Sequence, residues 1–438
     1  MSDTNDDESL APIDGAEFPQ LEDAVMGPAN EPEPEIETGA EPDASVARPS
    51  PRKRFTGRAI GIRRGDANGY EIVDALAGRA SVFGFGFDST ADAIRSVADQ
   101  YLGDASAWQD RGNHSPSSLS LRDAFGEFLK PFGGVQTDSV SLASSSDAAI
   151  EQMLANVRHR HGGKRYRTIA MVGSDHGRTG MCRTASGRPE LHDGFGPMMA
   201  GFAHAPTGDL AAIESMIDDN TGCILLCPID FAAGAVACET GYLKGLRRLC
   251  DQHDLLLAVD ETQLMFGASG SPLTWTSITD VPADMFAVAG GLFAGMSGGL
   301  VFANERSTSR RPAHSIDNPL LAAVAVQTIE SMFEHDLLEP SADHARTFAI
   351  ELAESISSFE FVRDIHATGM TIGVETDIES TDVVAAATKQ GLRIESAGDV
   401  GIRIQLPLAL TPDDRTQFLS RFASTLGELE QSTANMNA

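Results

Sequence analysis

Basic residues are the first shortage in this 438-residue chain: 33 lysines and arginines face 63 aspartates and glutamates, for a formal net charge of −30. Such a balance repels a phosphodiester backbone and excludes nucleic-acid binding as a default role. Only five of the cations are lysines (Lys53, Lys130, Lys164, Lys244 and Lys389), and none falls between 245 and 388. Cysteine is equally scarce, with five residues (Cys182, Cys223, Cys227, Cys238 and Cys250) and no CxxC spacing. Together with an N-terminus lacking a basic, apolar leader, that odd number points to a reducing cytoplasm. Long hydrophobic runs are missing but for one: the uncharged stretch Met285–Ala303 approaches membrane-spanning length, yet five glycines interrupt it. It is expected as buried strand, loop, strand, and no membrane association is expected. P-loop and HExxH spacings are absent.

What is present is unevenly distributed. Residues 1–50 carry 14 acidic residues and a single basic one, Arg48. Text such as EPEPEIETGAEPDAS cannot bury enough apolar area to offset ordering entropy, so a disordered, solvating tail is expected, with a partner-binding arm as the alternative. Arg52-Lys53-Arg54 then opens the body; over residues 51–438 the remaining 49 acidic and 32 basic residues leave a net charge of −17. At roughly 150 residues per domain, this length suits one large or two intermediate domains.

Within the body, apolar runs alternate with helical periodicity. Ser139–Ala143 reads as a strand, followed by Ile150, Met153, Leu154 and Val157 at i, i+3, i+4, i+7, the stripe of an amphipathic helix. Thr168–Val172, Cys223–Ile229 and Leu255–Val259 read as further strands, separated by helical stripes at Leu210–Ile217 and Leu243–Cys250. Strand alternating with helix predicts a mostly parallel sheet covered on both faces. Beyond Asn318 the pattern changes to helices over 318–335 and 340–358, a strand at 370–375, a helix near 381–391, a strand at 401–406 and a terminal helix, which is a smaller α+β unit.

Three places could carry chemistry. Asp260 and Glu261 end an apolar strand, where open α/β sheets place ligands, although a solvated acid opening a loop reads the same. Ser144-Ser145-Ser146 with Asp147 lies between strand and helix, where amides and hydroxyls hold anions or simply cap the helix. His176-Gly177-Arg178-Thr179 follows a strand and suits either substrate contact or a structural histidine. No metal site is expected: the histidines are scattered, His159 and His161 sit in the basic run RHRHGGKRYR at a helix end, and Cys223 and Cys227 read as core.

The run GYLKGLRRLCDQHDLLLAVDETQLMFGASG (Gly241–Gly270) resembles the strand and loop of class III pyridoxal-phosphate aminotransferases, written FLxxLRxLCxxHxxLLIxDEVQxGFGRTG in that family. HGRT at His176, ASSSDAA for SGAEA, NPLLAAVAV at Asn318 and IRIQLPLALT at Ile402 extend the resemblance over residues 60–430. It implies an α/β fold type I transferase, with a large domain built on a mostly parallel sheet and a smaller α+β domain from both chain ends. The implied division is an acidic tail 1–50, small-domain residues 51–110 and 316–438, and a large cofactor-type domain 111–315. By resemblance, Asp260 would face the pyridine nitrogen of pyridoxal 5′-phosphate, keeping the ring an electron sink. Gln263 would contact its phenolic oxygen, Ser144, Ser145 and Ser146 would cradle its phosphate, His176 would lie beside it, and Arg403 would clamp a substrate carboxylate.

Against that pattern the chain departs at the site itself. Gly290 occupies the place of the Schiff-base lysine after Pro282-Ala283-Asp284, and the aromatic residue that would stack on the ring is Asp175. Ser145 replaces a glycine, Cys227 a glutamate, Ala268 an arginine, and His314 or Ser315 stands where a threonine would reach the neighbouring subunit's phosphate. The lysine is both covalent anchor and proton-moving base in the resembling enzymes, and glycine can be neither. The expectation is therefore a degenerate homologue acting by binding or as a partner subunit, with no catalytic residue and no covalent cofactor. Two alternatives stand: an enzyme holding pyridoxal or pyridoxamine phosphate noncovalently, with His176 or His314 as base, or an active aminotransferase or α-oxoamine synthase-like enzyme. A homodimer is implied, and a lysine-bearing paralogue is a further partner.

Overall fold

Two six-residue strands, each with a run of apolar residues too short for a helix, form the middle of the protein. Thr221–Leu226 and Leu256–Glu261 are buried on both faces, as strands sandwiched between helical layers must be. In the computed structural model, which describes residues 59–65, 70–101, 116–132, 135, 138–160, 162–307, 316 and 318–436, they lie within a seven-stranded sheet. Its spatial order is Ser139–Ala143, Gly299–Ala303, Met285–Val288, Leu256–Glu261, Thr221–Leu226, Arg167–Met171, Phe202–Ala205. All neighbouring pairs are parallel except those of Gly299–Ala303, which runs antiparallel to both neighbours. The glycine-interrupted stretch 285–303 is thus strand, loop, strand, and among the described residues no helix is long and apolar enough to cross a membrane.

Alternation along the strands divides the core. Cys223, Leu225, Leu256, Ala258, Met285, Ala287 and Val301 face the helix Ser146–Arg160, which contributes Ile150, Met153, Leu154 and Val157. Ile224, Leu226, Leu257, Val259, Phe286, Leu300 and Phe302 join a larger cluster on the other face. There the helix Thr240–Gln252 supplies Leu243, Leu246, Leu249 and Cys250. Small side chains under one helix and large ones opposite let both layers close on a single sheet.

The two ends of the chain meet in a separate sheet. Arg63–Gly65 pairs antiparallel with Glu71–Asp74, which pairs parallel with Leu392–Arg393. A second, antiparallel sheet of four strands runs Val362–Thr368, Thr371–Thr376, Gly401–Gln405, Glu395–Ala397. Asn318 caps the helix Pro319–Glu334 by accepting from Leu321 N at 3.2 Å, and helices Leu338–Ile356, Ser380–Lys389 and Pro412–Met436 complete this part. The acidic tail, Arg52-Lys53-Arg54, His161, His314 and Ser315 lie outside the described residues.

One strand ends earlier than its sequence suggests. The run expected over Cys223–Ile229 stops at Leu226, because Pro228 has no amide hydrogen to continue the ladder. Cys227 is therefore not a core strand residue; it lines a cavity at the carboxyl ends of the strands.

Candidate ligand site

The loops that leave the parallel strands at their carboxyl ends surround a cavity of about 750 Å³. Gly173–Arg178 follows one strand, Cys227–Ala232 the next, and Asp260 to Gln263 a third; Glu395 and Arg403 close it from the four-stranded sheet and Arg79 from the short helix Ala77–Ala80. This is where a doubly wound sheet binds ligands.

Asp260 sits at the floor, 2 % exposed. Its Oδ2 lies 2.6 Å from Nδ1 of His176, and its Oδ1 accepts from Thr262 N and Oγ1 at 2.8 and 2.7 Å. His176 is fixed further by its own amide, which donates to Ser186 Oγ at 2.8 Å. The next acid, Glu261, points away from the cavity and accepts from Thr274 N and Trp275 N at 2.8 and 2.7 Å; burial pushes its carboxyl up to about 7. Burial and the neighbouring Asp260 raise the Cys227 thiol well above its ordinary value, so it stays protonated and is a poor nucleophile.

Of the serines, only Ser146 reaches the cavity. Ser145 Oγ accepts from Ala148 N at 3.0 Å, which is the capping role, and the Ser144 carbonyl accepts from Ser297 Oγ at 2.8 Å. Asp147, in the first turn of the same helix, spends its Oδ2 on the amides of Arg178 and Thr179 at 2.8 and 3.0 Å. Asp175 accepts from Gly177 N at 3.1 Å and from Arg178 Nη1 at 3.0 Å, and so presents a paired carboxylate where a flat ring would be needed. Gln263 is also engaged: its Nε2 donates to the Asp175 carbonyl at 2.5 Å and its Oε1 accepts from Arg403 Nη1 at 3.1 Å.

Arg403 reaches the cavity with both terminal nitrogens, Nη1 and Nη2, already engaged. Its guanidinium lies 4.3 Å from the centre of the Phe231 ring, and Nη2 pairs with Glu395 Oε2. Arg79 Nη1 reaches the same oxygen at 2.8 Å. Burial and the charge of Arg403 push Arg79 down to about 10. Burial works to raise the Glu395 carboxyl, but Arg79 and Arg403 outweigh it and hold it below its usual value. Neither Arg79 nor Glu395 was expected from the sequence; the one available signal was a lone arginine inside the apolar run ALAGRAS.

Gly290 follows the strand Met285–Val288 and is buried. A Cβ built on it would lie 1.9 Å from the carbonyl oxygen of Leu264 and 2.8 Å from its carbon, well inside contact distance. The two segments are tied together, since Phe266 N donates to the Gly290 carbonyl at 3.0 Å. Among the described residues no lysine lines the cavity. Lys130, Lys244 and Lys389 sit at the surface beside Glu127, Asp280 and Glu428 at 3.8, 3.6 and 3.0 Å, and Lys164 is exposed.

A mostly parallel sheet with its ligand cavity at the strand ends and an aspartate on the cavity floor defines the class: this is the fold of type I pyridoxal-phosphate-dependent transaminases. Residues 46–426 match the family described as aminotransferase class-III, and the chain belongs to that family. Acetylornithine aminotransferase of Methanothermobacter thermautotrophicus is 33% identical over 356 residues, covering 80% of this chain and 87% of that protein. The enzyme of the same name from Caldanaerobacter subterraneus subsp. tengcongensis is 28% identical over 376 residues, covering 84% and 93%. Among solved structures, a Bacillus anthracis aminotransferase superposes with a TM-score of 0.75 at 20% identity, over 87% of this chain and 95% of that one. An omega transaminase from Pseudomonas jessenii, in complex with PMP, gives 0.74 at 18% over 86% and 93%.

The cavity residues do not fit a cofactor held as a lysine Schiff base. Asp260 Oδ2 retains one lone pair for a pyridine nitrogen, but position 290 lacks space for any side chain and no described amine is near. The ring-stacking place holds a carboxylate, and Gln263 is spent on protein partners. Seven carboxylates line the cavity against four arginines, an unfavourable field for a phosphate dianion.

Proposed function

We propose that this chain is a class III aminotransferase homologue that has given up Schiff-base chemistry and acts by binding a ligand, alone or as the partner subunit of a lysine-bearing paralogue. The supporting observation is the 1.9 Å approach of the Leu264 carbonyl to the Cβ position of Gly290, which leaves no room for the family's lysine. A homodimer is part of the proposal, since in the resembling family each site draws residues from two subunits; light scattering on the purified chain measures it.

The test is reduction with borohydride after incubation with pyridoxal phosphate, followed by peptide mapping. Expected is no stoichiometric pyridoxyl-lysine at any single position. A single fully labelled lysine would overturn the proposal. The intact Asp260–His176 pair favours a second reading, a cofactor held without a covalent bond, and a visible absorbance band that survives gel filtration without a reducible adduct would select it.

A further inference from the structure

Two arginines meet on one carboxylate oxygen of Glu395, while Arg393 Nη2 lies 3.7 Å from the other. Glu395 and Arg403 are directly opposed across the antiparallel pair Glu395–Ala397 and Gly401–Gln405, so both side chains leave the same face. Arg79 arrives from the short helix Ala77–Ala80 and meets the same carboxylate oxygen as Arg403. Arg403 cannot swing freely: Phe231 covers its flat face and Gln263 holds Nη1. Its Nε is buried and has no acceptor, so the pair of guanidiniums is served by fewer acceptors than it has donors. Two arginines converging in a cavity make a carboxylate clamp of the kind that planar guanidinium geometry favours. Here the chain itself supplies the carboxylate.

We propose that Glu395 is a built-in occupant of the carboxylate clamp formed by Arg79 and Arg403, so that this cavity selects against free carboxylate ligands. The inference rests on the reading of the cavity as a ligand site and names what that site rejects. A short flexible linker already presents a group at roughly millimolar effective concentration, and a carboxylate fixed on a paired strand is presented at more. A free carboxylate at millimolar concentration therefore loses the competition. Removing the Glu395 charge frees two arginines at once.

The experiment is calorimetric titration of the full chain with glutarate at low salt, for the wild type, Glu395→Gln and Glu395→Gln/Arg403→Gln. The expected result is an affinity at least ten-fold higher for Glu395→Gln than for the wild type, lost again in the double variant. Equal affinity in wild type and Glu395→Gln, or a gain that survives loss of Arg403, overturns the proposal. If Glu395→Gln does not fold, Glu395→Ala is read by thermal shift. Acetate, and not chloride at the same ionic strength, should raise its midpoint while leaving the wild type unmoved; absence of a carboxylate-specific rise overturns the proposal. A pyridoxyl-lysine adduct would overturn the loss of Schiff-base chemistry without altering these titrations, so the two failures are distinguishable.

Discussion

Gly290→Ala adds a single methyl group and tests how firmly the chain is committed to lacking a lysine. That carbon would sit 1.9 Å from the Leu264 oxygen, 2.8 Å from its carbonyl carbon and 3.4 Å from Met265 Cα. All three obstacles are main-chain atoms, so no rotamer change relieves the clash. The Leu264–Phe266 segment has to move by more than an ångström, against the 3.0 Å bond from Phe266 N to the Gly290 carbonyl and the packing of fully buried Met265. Overpacking ordinarily costs about 1–3 kcal/mol, and with only backbone to yield the upper end, about 3 kcal/mol, is expected. Urea unfolding at neutral pH measures it as a lower midpoint at unchanged slope. A variant as stable as the wild type to within ~0.5 kcal/mol would refute the reasoning, because a loop that admits a methyl at no cost also has room for a longer chain.

Two further outcomes are expected. Glu261 has a folded value of about 7, above its ordinary 4.5, so its contribution is fully present below about 4.5 and is lost as pH rises through 7. Relative to Glu261→Gln, the wild type should lose up to about 3 kcal/mol across that window, followed by urea midpoints at several pH values; parallel curves for the two proteins would contradict the assignment. His176→Ala removes the Asp260 Oδ2 partner and should cost about 2–3 kcal/mol, whereas His176→Asn, which keeps a donor, should cost less than half as much. Equal losses in unfolding experiments would mean that ring packing, not the bond to Asp260, fixes His176.

Local pattern made much of this architecture readable. The Ile150–Val157 stripe lies on one face of the helix Ser146–Arg160, and Asp260 closes a strand of apolar residues at the ligand-binding edge. Periodicity carries such features because helix and strand bury alternate sets of neighbours within one segment. The site was less legible, since its decisive contacts join residues far apart in sequence. Arg79 and Glu395 meet across 316 positions, and Gln263 is held by Asp175 and Arg403, 88 and 140 positions away. Nothing in a run of residues marks such pairs. Likewise, the glycine at 290 is evident in the sequence, but that the Leu264 carbonyl fills the space beside it follows only from the packing of two loops. Cys227 changed from core to cavity because one proline ended its strand early.

The most direct measurement of the central claim is nitrogen transfer itself. The purified full chain, supplied with pyridoxal phosphate, a panel of nitrogen-15-labelled amines and amino acids, and 2-oxo acids, is followed by mass spectrometry of the acceptor products. Label appearing no faster than with the cofactor alone is the expected result. Transfer of many equivalents per chain, abolished by replacing one of the five lysines with arginine, would contradict it.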